Sequence, residues 1–273
     1  MPDDYMLGHS PAESRRLIEQ AELLAPITRR FLLAAGIRPG MRVLDVGSGM
    51  GDVAILVAEL VGPDGEVVGV DTSTAAVAAA SARSASLTPA KISFVMGDPT
   101  ILAFANTFDA IVGRYVLLFQ KDPASMLQGL LSKLRPRGVI AFHELDWHGA
   151  HSVPPAPTFD NCCRWAAEAL RLGGADPYVG AKLYSAFIQA GFPPPTMRVE
   201  AIAGGPEDPS GSVRQLLATV FPKAFVKTLD QNRIATAIEI GFDTLPARLY
   251  NEIVTLGSVV IGRSEIGIWT HRL

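Results

Sequence analysis

The sequence predicts an α/β fold built on a parallel sheet, and three observations carry that expectation. The stretch Val43-Leu44-Asp45-Val46-Gly47-Ser48-Gly49-Met50-Gly51-Asp52 starts as an apolar run and breaks into three alternating glycines. An apolar helical pattern follows from Val53 through Val61, so a buried strand, a tight turn and a helix are expected in that order. Short apolar runs then alternate with helical patterns as far as residue 142, which is how a parallel sheet covered by helices is written. Finally, 273 residues at 48% hydrophobic and 19% charged can bury the core of one large domain.

The elements follow in chain order. Residues 1–40 read as a helical preface. Ser10-Pro11-Ala12-Glu13 fits a capping box, Leu17, Ala21 and Leu24 recur at helical spacing, and Pro26 should break or restart the helix. Pro39-Gly40 turns the chain into the first strand. Gly62-Pro63-Asp64-Gly65 is a turn, and Glu66 to Val70 is a second strand that ends in Asp71. An alanine-rich helix covers 75–85, and the third strand, 92–96, ends at Gly97-Asp98-Pro99. The fourth strand, 108–112, leads to Gly113-Arg114-Tyr115. A helix over about 123–134 precedes the fifth strand, 139–142, which exits through His143-Glu144-Leu145-Asp146-Trp147-His148. Beyond it come a helix over 159–172, another over 181–190, a strand over 196–201, a helix over 216–229, a helix over 244–256 and a last strand over 266–270.

Alternating glycines let a backbone take positive φ and let a ligand lie against bare main chain. The dinucleotide fingerprint is G-x-G-x-x-G, with a pyrophosphate on the helix N-terminus. The spacing here is G-x-G-x-G, with Asp45 two residues before the first glycine. A carboxylate would repel a pyrophosphate and favour a cationic ligand. Asp71, 22 residues beyond Gly49, suits an acid at the end of the second strand that accepts hydrogen bonds from both hydroxyls of a ribose.

The stretch resembles motif I of class I S-adenosylmethionine (SAM) methyltransferases, [D/E]-x-G-x-G-x-G. The run Leu134-Arg135-Pro136-Arg137-Gly138 resembles the L-[RK]-P-G-G segment before strand five of that family, with Arg137 in place of the first glycine. The resemblance implies a Rossmann-like, doubly wound sheet of seven strands, mostly parallel with the last antiparallel, and SAM as cofactor. It implies one domain over 1–273: a helical cap (1–40), a SAM-binding core (41–146) and helical lid insertions (147–178 and 204–257). It places Asp45, Gly47, Ser48, Gly49 and Gly51 in the cofactor turn, and Asp71 and Thr72 at the ribose. Gly97 and Asp98 fall at the adenine, where Asp98 would accept a hydrogen bond from the exocyclic amine. Arg114 is a further contact, and Tyr5, Arg16 and Gln20 approach from the N-terminal helix.

Methyl transfer from a sulfonium is an in-line displacement that needs alignment and a dry site, and a base only where the acceptor must lose a proton. His143 and Glu144 are the candidates for a general base or substrate anchor. Arg114 stands where related enzymes place a catalytic histidine or a metal-binding aspartate, and it can orient an acidic substrate or pair with a buried carboxylate. His143, His148 and His151, with Glu144 and Asp146 interleaved, are the one metal-like set. They fall in a segment whose glycine and proline content predicts a mobile loop, with no helical His pair to fix geometry, so no metal is expected.

Trp147, Phe159, Trp165, Tyr178, Phe221, Phe225 and Tyr250 form an aromatic set for a lid over a small apolar or aromatic acceptor, of the kind met in secondary metabolism. The same set is compatible with a homodimer. A net charge of −3 and the lack of a basic block argue against a general nucleic-acid binder. A protein or RNA acceptor is the alternative, and a NAD-type oxidoreductase is opposed by the glycine spacing and by Asp45. Cys162 and Cys163 are adjacent and make neither a disulfide framework nor a zinc spacing. The first ten residues carry no secretory pattern and no apolar run reaches membrane-spanning length, so the expected compartment is the cytoplasm.

Overall fold

The computed structural model describes residues 11–85, 90–219 and 221–273. The elements are α1 (Pro11–Ala35), β1 (Arg42–Val46), α2 (Asp52–Val61), β2 (Glu66–Asp71), α3 (Thr74–Ser84), β3 (Lys91–Met96) and β4 (Phe108–Arg114). They continue with α4 (Pro123–Leu130), β5 (Leu134–Asp146), β6 (His151–Val153), α5 (Pro157–Leu172), α6 (Leu183–Gln189), β7 (Thr196–Glu200) and β8 (Ala203–Gly204). The last are α7 (Ser212–Thr219), α8 (Lys223–Gln231), α9 (Ala237–Ile240), α10 (Leu245–Leu256), β9 (Val259–Ile261) and β10 (Ser264–His271). The chain divides into two compact units.

One unit comprises Ala25–Glu144, Val179–Val199 and Ile266–Leu273. It is built on a seven-stranded sheet of order β3-β2-β1-β4-β5-β10-β7, mostly parallel with the last strand of the chain antiparallel, as expected of a Rossmann-like doubly wound fold. β1 pairs in parallel with β2 on one side and β4 on the other, so the strand order reverses there. Ligands of such sheets bind beyond the carboxyl ends of the strands at that reversal. The core packs Val43, Val67, Ala110, Val112 and Val139 against Val53, Val57 and Val61 of α2.

Two expectations are corrected in this unit. Pro26 does not break the first helix, and α1 runs through it for 25 residues. Leu24, Ile27 and Phe31 are all buried, and that packing holds the helix together across the missing amide. The polar segment after residue 142 is no loop either: β5 extends to Asp146, and every residue from Gly138 to Asp146 is buried. Its side chains find partners inside the protein, which a periodicity reading cannot see. Ser10 of the expected capping box lies outside the described residues.

The other unit comprises Leu145–Tyr178, Glu200–Glu265 and the N-terminal stretch up to Leu24. It contains a small antiparallel sheet of order β6-β9-β8. Phe159, Cys162, Phe225, Leu229, Leu249 and Ile253 are buried in it. The single helix expected over 216–229 is two, α7 and α8, with Pro222 at the N-cap of the second. A proline has no amide to continue a helix and pushes the residue before it out of helical geometry. Phe159, Phe221 and Phe225 of the aromatic set are at most 3% exposed, and Phe221 stacks edge-on with Phe225 and Trp165. These three rings are core rather than lining.

Candidate active site

The turn after β1 is shaped by its glycines. Gly47 has φ +64, and a Cβ there would come within 2.8 Å of Val116 Cγ2. Gly49 has φ +50 and nothing within 4 Å of where its Cβ would be, so the bare backbone faces open space. Gly51 is the N-cap of α2 and provides no side-chain cap. The outer side of the turn is pinned by Arg83 of α3, which donates to the Met50 carbonyl at 2.6 Å and to Asp52 at 2.8 Å.

Asp71 closes the turn from β2. Its Oδ2 accepts from the Gly49 amide at 2.8 Å and its Oδ1 from the Ser73 amide at 2.9 Å. A carboxylate oxygen has two lone pairs, so each retains one for a ligand. Thr72 is exposed on the same turn. At the end of β3 the Gly97 amide donates to the Asp71 carbonyl at 2.9 Å. Asp98 is exposed, and its Oδ1 accepts from the Thr100 amide and hydroxyl at 2.8 and 2.7 Å.

Asp45 is 1% exposed, and neither carboxylate oxygen has a hydrogen-bond partner among the described residues. Burial pushes its pKa up to about 8, against the pull of the Arg114 guanidinium, with the Asp71 charge adding to the rise. The hydroxyl of Ser48, 7% exposed, also has no partner. Buried polar groups are nearly always satisfied, so unsatisfied ones call for an explanation. Two of them on one turn, one an acid, suit a cationic donor.

The ends of β4 and β5 are packed differently. Arg114 lies opposite His143 in the sheet, and its Nη1 donates to Thr28 Oγ1 of α1 at 3.2 Å. His143 is 3% exposed, with Nδ1 3.0 Å from the same hydroxyl and its ring edge-on to Phe31 at 5.0 Å. A small cavity lined by Thr28, Phe31, Gly113, Phe142, His143 and Trp269 lies beside it. Glu144 is fully buried. Its Oε1 accepts from the amides of Val116 and Leu117 at 2.8 and 2.7 Å, and its Oε2 from Leu118 at 3.4 Å. It therefore satisfies the open amides of the 3₁₀ turn Leu117–Phe119.

Residues 37–171 match the family model of the methyltransferase domain. Those residues are a class I SAM-dependent methyltransferase domain. It is 33% identical over 153 residues to nocamycin O-methyltransferase of Saccharothrix syringae, covering 56% of this chain and 51% of that one. It is 35% identical over 141 residues to 2-phytyl-1,4-naphtoquinone methyltransferase of Synechococcus elongatus, covering 46% and 60%. It is 32% identical over 132 residues to demethylmenaquinone methyltransferase of Staphylococcus aureus, covering 48% and 52%. The chain thus spans about half the length of the relatives it matches.

Among solved structures, the phosphoethanolamine N-methyltransferase 2 of Haemonchus contortus in complex with SAM superposes with a TM-score of 0.56 at 16% identity, over 90% of this chain and 52% of that one. The [4+2]-cyclase SpnF superposes with a TM-score of 0.50 at 20% identity, over 89% and 80%. These likenesses concern the fold alone, and the cyclase shows that the fold serves more than one reaction.

The cofactor implied by a class I methyltransferase domain fits the residues present. SAM carries an ammonium and a sulfonium and no phosphate, which suits the unpartnered acid and hydroxyl of Asp45 and Ser48. Tyr5 and the Arg16 side chain lie outside what the structure describes, and Gln20 is half-buried on α1. Among the described residues no three of His, Cys, Asp and Glu gather as a metal ion would need. His151 Nδ1 instead faces the Gly149 carbonyl at 2.7 Å. No described helix is long and apolar enough to cross a membrane.

One pair was missed in the sequence. Asp146 Oδ1 accepts from the His148 amide at 2.9 Å and lies 2.7 Å from its ring Nδ1, while Tyr178 packs on the imidazole at 4.3 Å. The Asp side chain is 8% exposed and the His side chain 66%. The D-x-H spacing was the available signal, hidden by reading these residues only as metal ligands.

Proposed function

We propose that this chain transfers a methyl group from SAM to a small, apolar or aromatic acceptor. The observation that carries the reading is the buried Asp45 carboxyl, left without a hydrogen bond at a glycine turn. Three relatives named for methylation of small molecules support it. When bound, SAM would supply an electrophilic methyl carbon, with the neutral thioether of S-adenosylhomocysteine as its leaving group.

The chain's own residues do the holding. Asp45 and Ser48 receive the donor's ammonium, and the outward lone pairs of Asp71 receive the ribose hydroxyls, with Thr72 beside them. Asp98 accepts from the adenine amine through Oδ2, and Gly47, Gly49, Gly51 and Gly97 leave room for the cofactor. Gln20 and Tyr5 are assigned to the approach from the N-terminal segment. We assign acceptor selection to the insertions 147–178 and 204–257.

Within the unit that carries the insertions, His148 is the imidazole whose surroundings suit a base. Asp146 orients its Nδ1 and leaves the other ring nitrogen available, the arrangement that prepares an imidazole as a base. His143 packs under α1, and Glu144 points its oxygens at backbone amides. Calorimetric titration with SAM, S-adenosylhomocysteine and NAD tests the reading. Saturable binding of the first two and none of the third is expected, and the reverse pattern would overturn it.

A further inference from the structure

We infer that Phe94 is a positioning residue for the methyl donor: its ring lies across the bare Cα of Gly69 and forms the support on which the glycine turn rests. The inference rests on the reading of that turn as the donor site and adds to it a side chain two strands away. Gly69 stands inside β2, between Phe94 of β3 and Asp45 of β1 in one row of the sheet. A glycine inside a strand weakens it and marks a place where something must come close. Its backbone is that of an ordinary strand, so no left-handed φ calls for glycine there. The ring does. A Cβ on Gly69 would lie 2.4 Å from Phe94 Cδ1, 2.6 Å from its Cε1 and 3.0 Å from Ser48 Cβ. A Cβ on Gly51 would lie 3.0 Å from Phe94 Cζ, 3.3 Å from its Cε1 and 3.2 Å from Ala80 Cβ. One edge of the ring, Cδ1 to Cζ, thus runs from the interior of β2 to the third glycine of the turn.

The two glycines serve the ring in different ways. Gly69 lets it cross β2, and Gly51 lets the turn close down on it, away from the donor. Ser48, whose hydroxyl is assigned to the donor's ammonium, is seated over the same bare Cα, and its amide donates to the Val70 carbonyl at 3.0 Å. Arg83 pins the outer side of the turn to α3, while Phe94, packed against the core under α2, supports it from the sheet. Fixing the turn from both sides before the ligand arrives removes an ordering cost from binding. Interiors are close-packed, so a shorter side chain at 94 would leave a gap and a looser turn.

The test is calorimetric titration of the full chain with two probes, with the melting temperature of each ligand-free variant recorded beside it. One probe is S-adenosylhomocysteine, and the other is methylthioadenosine, which keeps the adenosine and sulfur but lacks the amino-acid end. Phe94→Val, which keeps a strand-forming side chain and removes the ring edge, is expected to weaken the first at least fivefold and the second at most twofold. Gly69→Ala drives the ring from its place and weakens S-adenosylhomocysteine at least tenfold. In the double variant the losses do not multiply: with no ring to displace, it binds no more weakly than Phe94→Val alone. A Phe94→Val that melts lower but binds S-adenosylhomocysteine like the wild type overturns the inference, because the ring is then core and nothing more. So does one that weakens both probes alike, and so do losses that multiply in the double variant. Should Gly69→Ala not fold alone, the ratio of the two probes in Phe94→Val decides. If the wild type binds neither probe, the methyl-donor reading itself falls, an outcome distinct from a variant that binds both unchanged.

Discussion

Asp45 and Glu144 are both acids sealed near the carboxyl ends of sheet strands, 1% and 0% exposed, yet their surroundings are opposite. Glu144 reaches three backbone amides of the turn after β4. Neither Asp45 oxygen has a partner at ordinary hydrogen-bond distance among the described residues, and burial pushes its pKa up to about 8 against the smaller pulls of Arg114 and the Ala54 amide. The difference separates a carboxylate that completes the fold from one that is completed by something else. Burial alone would rank them together, and only the inventory of partners divides them.

The largest expected effect falls on the completed acid. Glu144→Gln leaves one carbonyl oxygen to serve three amides and points a donor at donors. A cost of about 3 kcal/mol is expected, from charged hydrogen bonds lost and amides left buried without partners. Urea unfolding reads it directly. A loss under about 1 kcal/mol would mean that the turn holds itself, and the contrast with Asp45 would collapse.

Asp45→Asn should behave in the opposite way. Affinity for SAM is expected to fall at least tenfold, about 1.4 kcal/mol, with the melting temperature unchanged or raised. The amide keeps the shape but cannot take up the charge that the bound donor calls for. A variant that binds normally but melts early would make Asp45 a second Glu144.

A pH series sharpens the same point. With a folded pKa near 8 against an ordinary 3.8, the folded ligand-free protein keeps a proton that the unfolded chain has already given up. A raised folded pKa stabilises fully below the unfolded value, and the contribution is lost as pH rises through the folded one. The ligand-free wild type should therefore lose stability relative to Asp45→Asn between about pH 4 and pH 8, by up to about 1.4 kcal/mol per pH unit. Donor binding, which favours the ionised acid, should strengthen over the upper part of that window and release a proton near pH 7. Calorimetry in buffers of different ionisation enthalpy measures that proton. A flat difference between wild type and variant would show that Asp45 is ionised in the empty protein.

The glycine turn was legible because its information is local: three glycines and an acid within seven residues fix both the backbone and the sign of the ligand. The sheet was legible through the alternation of apolar runs and helices, and its order follows the family the motif resembles. The partners of Glu144 were not, since the amides of 116–118 lie 26 to 28 residues away and a backbone amide leaves no mark in a sequence. Thr28 was hidden for the same reason, as its contacts are 86 and 115 residues distant. The β6-β9-β8 sheet was hidden by size: strands of three, two and three residues are too short to show a period.

Arg137 offers the smallest and most local test. Along the chain it departs from the glycine of the L-[RK]-P-G-G pattern, and in the structure it has φ +61 while its side chain is exposed. Gly47 and Gly49 adopt the same left-handed backbone with the residue suited to it. An L-residue there is strained by about 1–2 kcal/mol, and a glycine gives back up to about 1 kcal/mol through the entropy of the unfolded chain. Arg137→Gly should keep the amide bond to the Arg272 carbonyl, 3.0 Å, and raise stability by about 0.5 kcal/mol, read as a small rise in melting temperature. Loss of stability would show that the arginine side chain contributes more at that bend than the glycine would relieve, and that the glycines of the β1 turn are kept for the ligand's space rather than for the backbone.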